Sequence, residues 1–239
     1  MMESNIFLHE STDFGNPNYE IVRDILNKID NNMMSALGLP VFSSKRCDVF
    51  YTDKYPVCSK GEGGHDIYLC VKHNDYYQWI FQFSHEYCHH LINGAMTNDW
   101  SDLLWFEETI CQLASLYNMF MMVEFCEEMG KADCASLLKD RLSHYLGKAT
   151  KDNKLDMRGG WFKSFADQLR SKGYKRDLYN SIAVLMYPFF VENPNLWKII
   201  QYIGDIRSWN SLDELFKHLQ SKADHTYADS LEKMIVIFS

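Results

Sequence analysis

Three histidines and a glutamate crowd six positions of the stretch QFSHEYCHHLINGAM: His85, Glu86, His89 and His90. On a helix, His85 and His89 lie four residues apart, so both imidazoles share one face about one turn apart and can grip a single ion. Glu86 follows the first histidine and projects beside that ion without ligating it. The chemistry this permits is specific. Two neutral nitrogen donors hold a divalent cation, and a carboxylate stands ready to take a proton from water that the cation polarises. His90 points about 100° away around the helix, so it is expected to pack or to support the site from behind. The competing reading is coincidence in an apolar helix that also holds Phe81, Phe83 and Leu91.

Two histidines do not complete a tetrahedral site, and the stretch WFEETICQLASLY offers a third donor. Eighteen residues separate His89 from Glu108, enough for a turn and the start of a returning helix. Glu107 and Glu108 interrupt an otherwise apolar run. A buried carboxylate is costly unless it is paired or bound to a cation. A solvated edge, or a pair favoured by the positive end of a helix, is the alternative. On the metal reading Glu108 is the third ligand, while Glu107 is exposed or supports a ligand from outside.

The elements that must position these groups follow from hydrophobic period and turn chemistry. NIFLHES suggests a short strand. Residues 16–38 predict a helix, with Ile21, Ile25, Ile29 and Met33 spaced by four and Gly38 past its end. RCDVFYT and DIYLCVK predict two strands separated by a Gly-rich turn, SKGEGGHD. Residues 75–94 predict the helix that carries the histidines, ending at an Asn93-Gly94 cap. A long buried helix over 99–130 and another over 132–147 follow, then an exposed loop KATKDNKLDMRGG. Helical segments near 160–172, 176–192 and 194–204 come next, and SLDELFKHLQ has a capping-box start at Ser211 with Glu214. LEKMIVIFS fits helix or strand. There is no repeat and no Pro-rich linker. The order predicts an αβ lobe over 1–74 with an edge strand, and a helical lobe over 75–239 that carries the site, together forming one catalytic unit.

Composition narrows the function classes. The 239 residues are 46% hydrophobic and 23% charged, enough for a sizeable core. A net charge of −8 argues against a nucleic-acid partner, which needs a basic footprint. No run of eighteen apolar residues occurs, so no membrane-spanning helix is expected. The start of the chain shows no basic segment followed by an apolar one, so no secretion signal is read. Seven cysteines without a CxxC fit reduced thiols in a cytoplasmic protein, although a Cys58–Cys70 bridge across a hairpin is conceivable.

HExxH, eighteen intervening residues and then Glu within WFEETICQLASLY resembles the gluzincin metallopeptidases, closest in motif to the aminopeptidase-N-like branch. That branch usually has Asn where this chain has Glu107. The resemblance spans roughly residues 17 to 190, though the specific motifs are short. It implies a thermolysin-like α+β catalytic domain, a small twisted sheet with a helix followed by a mostly helical lobe. It implies Zn²⁺ on His85, His89 and Glu108, with Glu86 as general base. It further implies an oxyanion donor from a Tyr that opens a Y-x-x-G-x-x-V-L helix. YNSIAVLMYPFF offers Tyr179 for that role, with Ile182 in place of the glycine and Val184 and Leu185 one position early for the V-L pair; Tyr174 and Tyr187 are reserves.

The same resemblance makes DIYLCVK the edge strand along which an extended peptide lies, so that Ile67, Tyr68 and Leu69 bind substrate; an interior strand is the alternative. The branch's G-x-M-E-N amine anchor is absent. Glu62, in KGEGGHD, stands near its place and is the candidate to bind an amine, unless it is simply an exposed turn residue. His65, His73, His144, His218 and His225 are expected at surface or capping positions, and Cys88 as a small packed side chain. The expected activity is therefore zinc-dependent hydrolysis of a peptide or protein substrate. A non-catalytic peptide-binding module with a structural zinc is the alternative.

Overall fold

The computed structural model describes residues 5–38, 46–92, 101–152, 161–170, 175–204 and 206–239. The chain is α+β, largely helical, with one small mixed sheet of four strands among the described residues. The strands are β1 (Ile6–Leu8), β2 (Arg46–Tyr51), β3 (Val57–Gly61) and β4 (Gly64–Leu69). Their order across the sheet is β1-β2-β4-β3, with β1, β2 and β4 parallel and β3 antiparallel to β4.

Between β1 and β2 runs α1 (Tyr19–Leu37). Asn18 caps it, its side chain accepting from the amides of Glu20 and Ile21. Gly38 ends it at φ 66°, a left-handed conformation that a side chain would strain, and its amide bonds back to Met34 and Ser35. The buried stripe is Val22, Ile25, Leu26, Ile29 and Met33. Ile21 is off that stripe and 40% exposed, because the expected spacing of strictly four drifts around a helix of 3.6 residues per turn.

The Gly-rich turn was expected to be wider than it is. Ser59, Lys60 and Gly61 belong to β3, and only Glu62 and Gly63 turn the chain, with Gly63 at φ 84°. β3 thereby takes the sheet edge, and β4 lies between β2 and β3. Ile67 and Leu69 are fully buried, and Tyr68 stacks on Phe50 with centroids 5.4 Å apart. The expectation that residues 66–72 form the edge strand is thus corrected. The antiparallel hairpin folds β3 outward and leaves β4 as an inner strand.

The helical part begins with α2 (Tyr76–Ile92), whose first turn bonds back to the carbonyl of Asp75. The expected cap at Asn93-Gly94 lies outside the described residues. α3 (Leu104–Glu128) follows, with seventeen of its 25 residues buried, so it runs through the middle of the helical part and exposes charge only in its last turns, at Glu124, Glu127 and Glu128. Three of its buried polar side chains are satisfied locally or across to α2. Thr109 donates to the Trp105 carbonyl at 2.7 Å, Asn118 to Ala114 at 3.1 Å, and Ser115 to the Phe81 carbonyl at 2.8 Å.

α4 (Ala132–Asp152) runs five residues into the stretch expected to be a loop, and the remainder of that loop lies outside the described residues. Then come α5 (Trp161–Arg170), α6 (Arg176–Glu192), a 3-10 turn over Pro194–Ile199 and α7 (Ile200–Ile203). α8 (Leu212–Lys222) starts as expected at Ser211, whose hydroxyl accepts from the Glu214 amide at 3.1 Å. The last segment is helical, α9 (Ala228–Val236). Helix α2 packs on α1, α3, β3 and β4, so the sheet and the helices share one core around the histidine helix. No helix among the described residues is long and apolar enough to cross a membrane.

Candidate metal centre

Helices α2 and α3 pack closely, and their contact brings the opening residues of α3 against the last turns of α2. His85 Nε2 lies 3.4 Å from Glu108 Oε2, and His89 Nε2 lies 3.7 Å from Glu108 Oε1. One donor atom from each of His85, His89 and Glu108 falls within 4.8 Å of the other two, so the group could hold a metal ion. A tetrahedral site with arms of ~2.0 Å has ligand–ligand edges of roughly 3.3 Å, close to the spacings seen here. The donor set fits a divalent cation of the borderline kind, two imidazoles and one carboxylate.

Glu107 resolves the choice left open for it. It is buried, 4% exposed, and its Oε1 sits 2.8 Å from His89 Nδ1. With a cation on Nε2, that contact would keep the remaining His89 proton on Nδ1, the usual carboxylate–histidine–metal arrangement. Burial works against a charged His89, but Glu107, Glu108 and Glu86 together outweigh it and hold the imidazole at a pKa of about 10. The same carboxylates would favour a cation at Nε2 in place of a proton. The sequence signal for Glu107 was present, since a second carboxylate in an apolar helix has to find a partner.

Glu86 occupies the same turn of α2, 5% exposed. Burial raises its pKa, while the neighbouring His85 and His89 act in the opposite direction. Its carboxyl accepts a hydrogen bond from the backbone amide of Cys58 on β3. No side-chain pattern could have disclosed this contact, because the donor is main chain from the edge strand.

Tyr179, on the first turn of α6, is buried. Burial pushes its phenol upward, a backbone hydrogen bond from Lys175 lowers it, and the Glu108 carboxylate adds to the rise, so the phenol lies within electrostatic reach of the metal group. Tyr187 is half-buried further along α6, and Tyr174 lies outside the described residues. Glu62 is exposed in the β3–β4 turn, roughly 13 Å along the strand from Cys58 at 3.3 Å per residue. It therefore stands apart from the metal group.

His90 points away from His85 and His89, and its Nδ1 lies 2.9 Å from Nδ1 of His65 while its ring stacks on Tyr87. His65 was expected at the surface but is buried under this pair. Cys88 packs as expected, fully buried, and neither Cys58 nor Cys70 is in a disulfide. Comparison of the chain with protein-family models, curated proteins and solved structures finds no match.

Proposed function

We propose that this chain is a zinc-dependent peptidase in which His85, His89 and Glu108 hold the ion. The observation that carries the reading is their convergence from two helices, with buried Glu86 on the intervening turn and Glu107 locking His89. Zn²⁺ held there supplies Lewis acidity that polarises water and a peptide carbonyl near neutral pH. Glu86 takes the proton of the attacking water and delivers it to the leaving amine. Tyr179 donates its O–H to the developing oxyanion. An extended substrate lies along the outer edge of β3, which borders Glu86 through the Cys58 amide. A mixed sheet whose antiparallel edge strand faces the HExxH helix, with the third ligand on the next helix, supports a thermolysin-like arrangement of the gluzincin type.

One observation favours a non-catalytic zinc module instead. Glu86 is nearly sealed from solvent and its carboxyl is already engaged by β3. Metal analysis and cleavage of a mixed peptide library, on wild type and Glu86→Gln, separate the two. A peptidase retains metal and loses cleavage in Glu86→Gln; a module binds metal and cleaves nothing in either form. Absence of stoichiometric metal, or zinc affinity unchanged in Glu108→Ala, overturns both.

A further inference from the structure

Away from the metal centre, the hairpin between α3 and α4 brings two thiols together. Cys126 Sγ and Cys134 Sγ lie 2.9 Å apart, Cys126 buried near the end of α3 and Cys134 exposed on the first turn of α4. The approach is built by the turn. Gly130 takes φ 66°, its amide bonds to the Glu127 carbonyl at 2.9 Å, and the Lys131 amide bonds to the Cys126 carbonyl at 2.8 Å. The Ala135 amide then bonds to the Lys131 carbonyl at 3.0 Å and starts α4. An ion pair between Lys139 and Glu127 ties the two helices across the same turn.

We infer that Cys126 and Cys134 are a thiol–disulfide exchange site, closed to an intramolecular disulfide by a small disulfide of the glutathione type. Sulfurs 2.9 Å apart need to approach by less than 1 Å to reach a bond of ~2.05 Å. The roles follow from exposure. Cys134 meets solvent and attacks first. Burial, and a hydrogen bond with Cys134, raise the Cys126 thiol to about 12, so it keeps its proton until the second step. The Cys134 thiolate bonds to one sulfur of glutathione disulfide and expels a glutathione thiolate. Cys126 then gives up its proton, attacks Cys134 Sγ and expels the second glutathione. Two protein thiols are oxidised, one glutathione disulfide becomes two thiols, and the protons pass to these through solvent. Cys88 and Cys111 also adjoin each other, but both are fully buried, beyond the reach of a soluble disulfide. The site is independent of the metal reading.

The test equilibrates the full chain in glutathione buffers from reducing to oxidising, quenches with acid, alkylates free thiols and maps peptides. The expected result is a cross-linked Cys126–Cys134 peptide, the other five cysteines alkylated, and a melting temperature several degrees above the reduced chain. Cys134→Ser is expected to melt like the reduced chain and to show no rise on oxidation. A stable glutathione adduct on Cys134 without closure, a bridge between any other pair, or both thiols still alkylated under the most oxidising condition overturns the inference.

Discussion

Nδ1 of His89 sits 2.8 Å from Oε1 of Glu107, so the carboxylate beside one candidate metal ligand, Glu108, orients another. Removing it should weaken metal binding without removing a ligand. Glu107→Ala is expected to lose about 10–100-fold in Zn²⁺ affinity, by analogy with other partners of metal-bound histidines. Glu107→Gln, which keeps an acceptor but not the charge, should lose less. Competition with a chromophoric chelator reads both; equal affinity in all three proteins would remove Glu107 from the site.

Glu86 and Glu108 should separate binding from turnover. Glu86→Gln is expected to hold metal as the wild type does while peptide cleavage falls about 10²–10⁴-fold, the range for loss of a general base. Glu108→Ala should lose both. Metal content by mass spectrometry, measured beside a peptide assay, distinguishes the patterns.

Edge-strand binding makes a main-chain prediction. The Cys58 amide turns away from β4 toward Glu86, and alternation along β3 turns the Lys60 amide the same way. Proline is tolerated where a strand amide faces outward. Lys60→Pro should therefore fold and bind metal normally but raise KM for extended peptides several-fold, while Lys60→Ala should not. Identical KM values in the two variants would place the substrate elsewhere.

Asp30 gives a pH signature. It accepts from the Tyr87 hydroxyl at 2.6 Å, and burial holds its pKa above 3.8 despite that bond. Folding thus shifts Asp30 toward its neutral form. Its contribution to stability is full below 3.8 and is lost as pH rises through the raised folded value, leaving a constant penalty above it. Asp30→Asn keeps an acceptor for Tyr87 and cannot ionise. Urea unfolding should find it more stable than wild type at pH 7, with the gap narrowing as pH falls toward 4; a gap that widens instead would contradict this reading.

The two helices that carry the candidate ligands are also joined through Ser115, which donates to the Phe81 carbonyl one turn before His85. Ser115→Ala leaves that contact empty in a buried place. A loss of about 1 kcal/mol in chemical denaturation is expected, in the range for a buried hydrogen bond.

The outcome for each element follows the range of the forces that set it. Local chemistry was legible in the sequence. Gly38 ends α1, Ser211 starts α8, and a spacing of four put His85 and His89 on one face, because capping and helical period act within a turn or two. The distance from His89 to Glu108 told that a returning helix could present a carboxylate. Strand order was not legible. β3 hid in a glycine-rich stretch, and whether β4 is edge or interior depends on which strand pairs with it, a contact made only when the hairpin folds outward. Burial of Glu107 and His65 likewise depends on distant surfaces, α2 for the one and α2 meeting β4 for the other. The sequence by itself determined the donors and the helical turn that aligns two of them. The tertiary structure decided which carboxylate faces the imidazoles, which braces one from behind and which strand borders them, because long-range packing sets the direction of a side chain once its helix is formed.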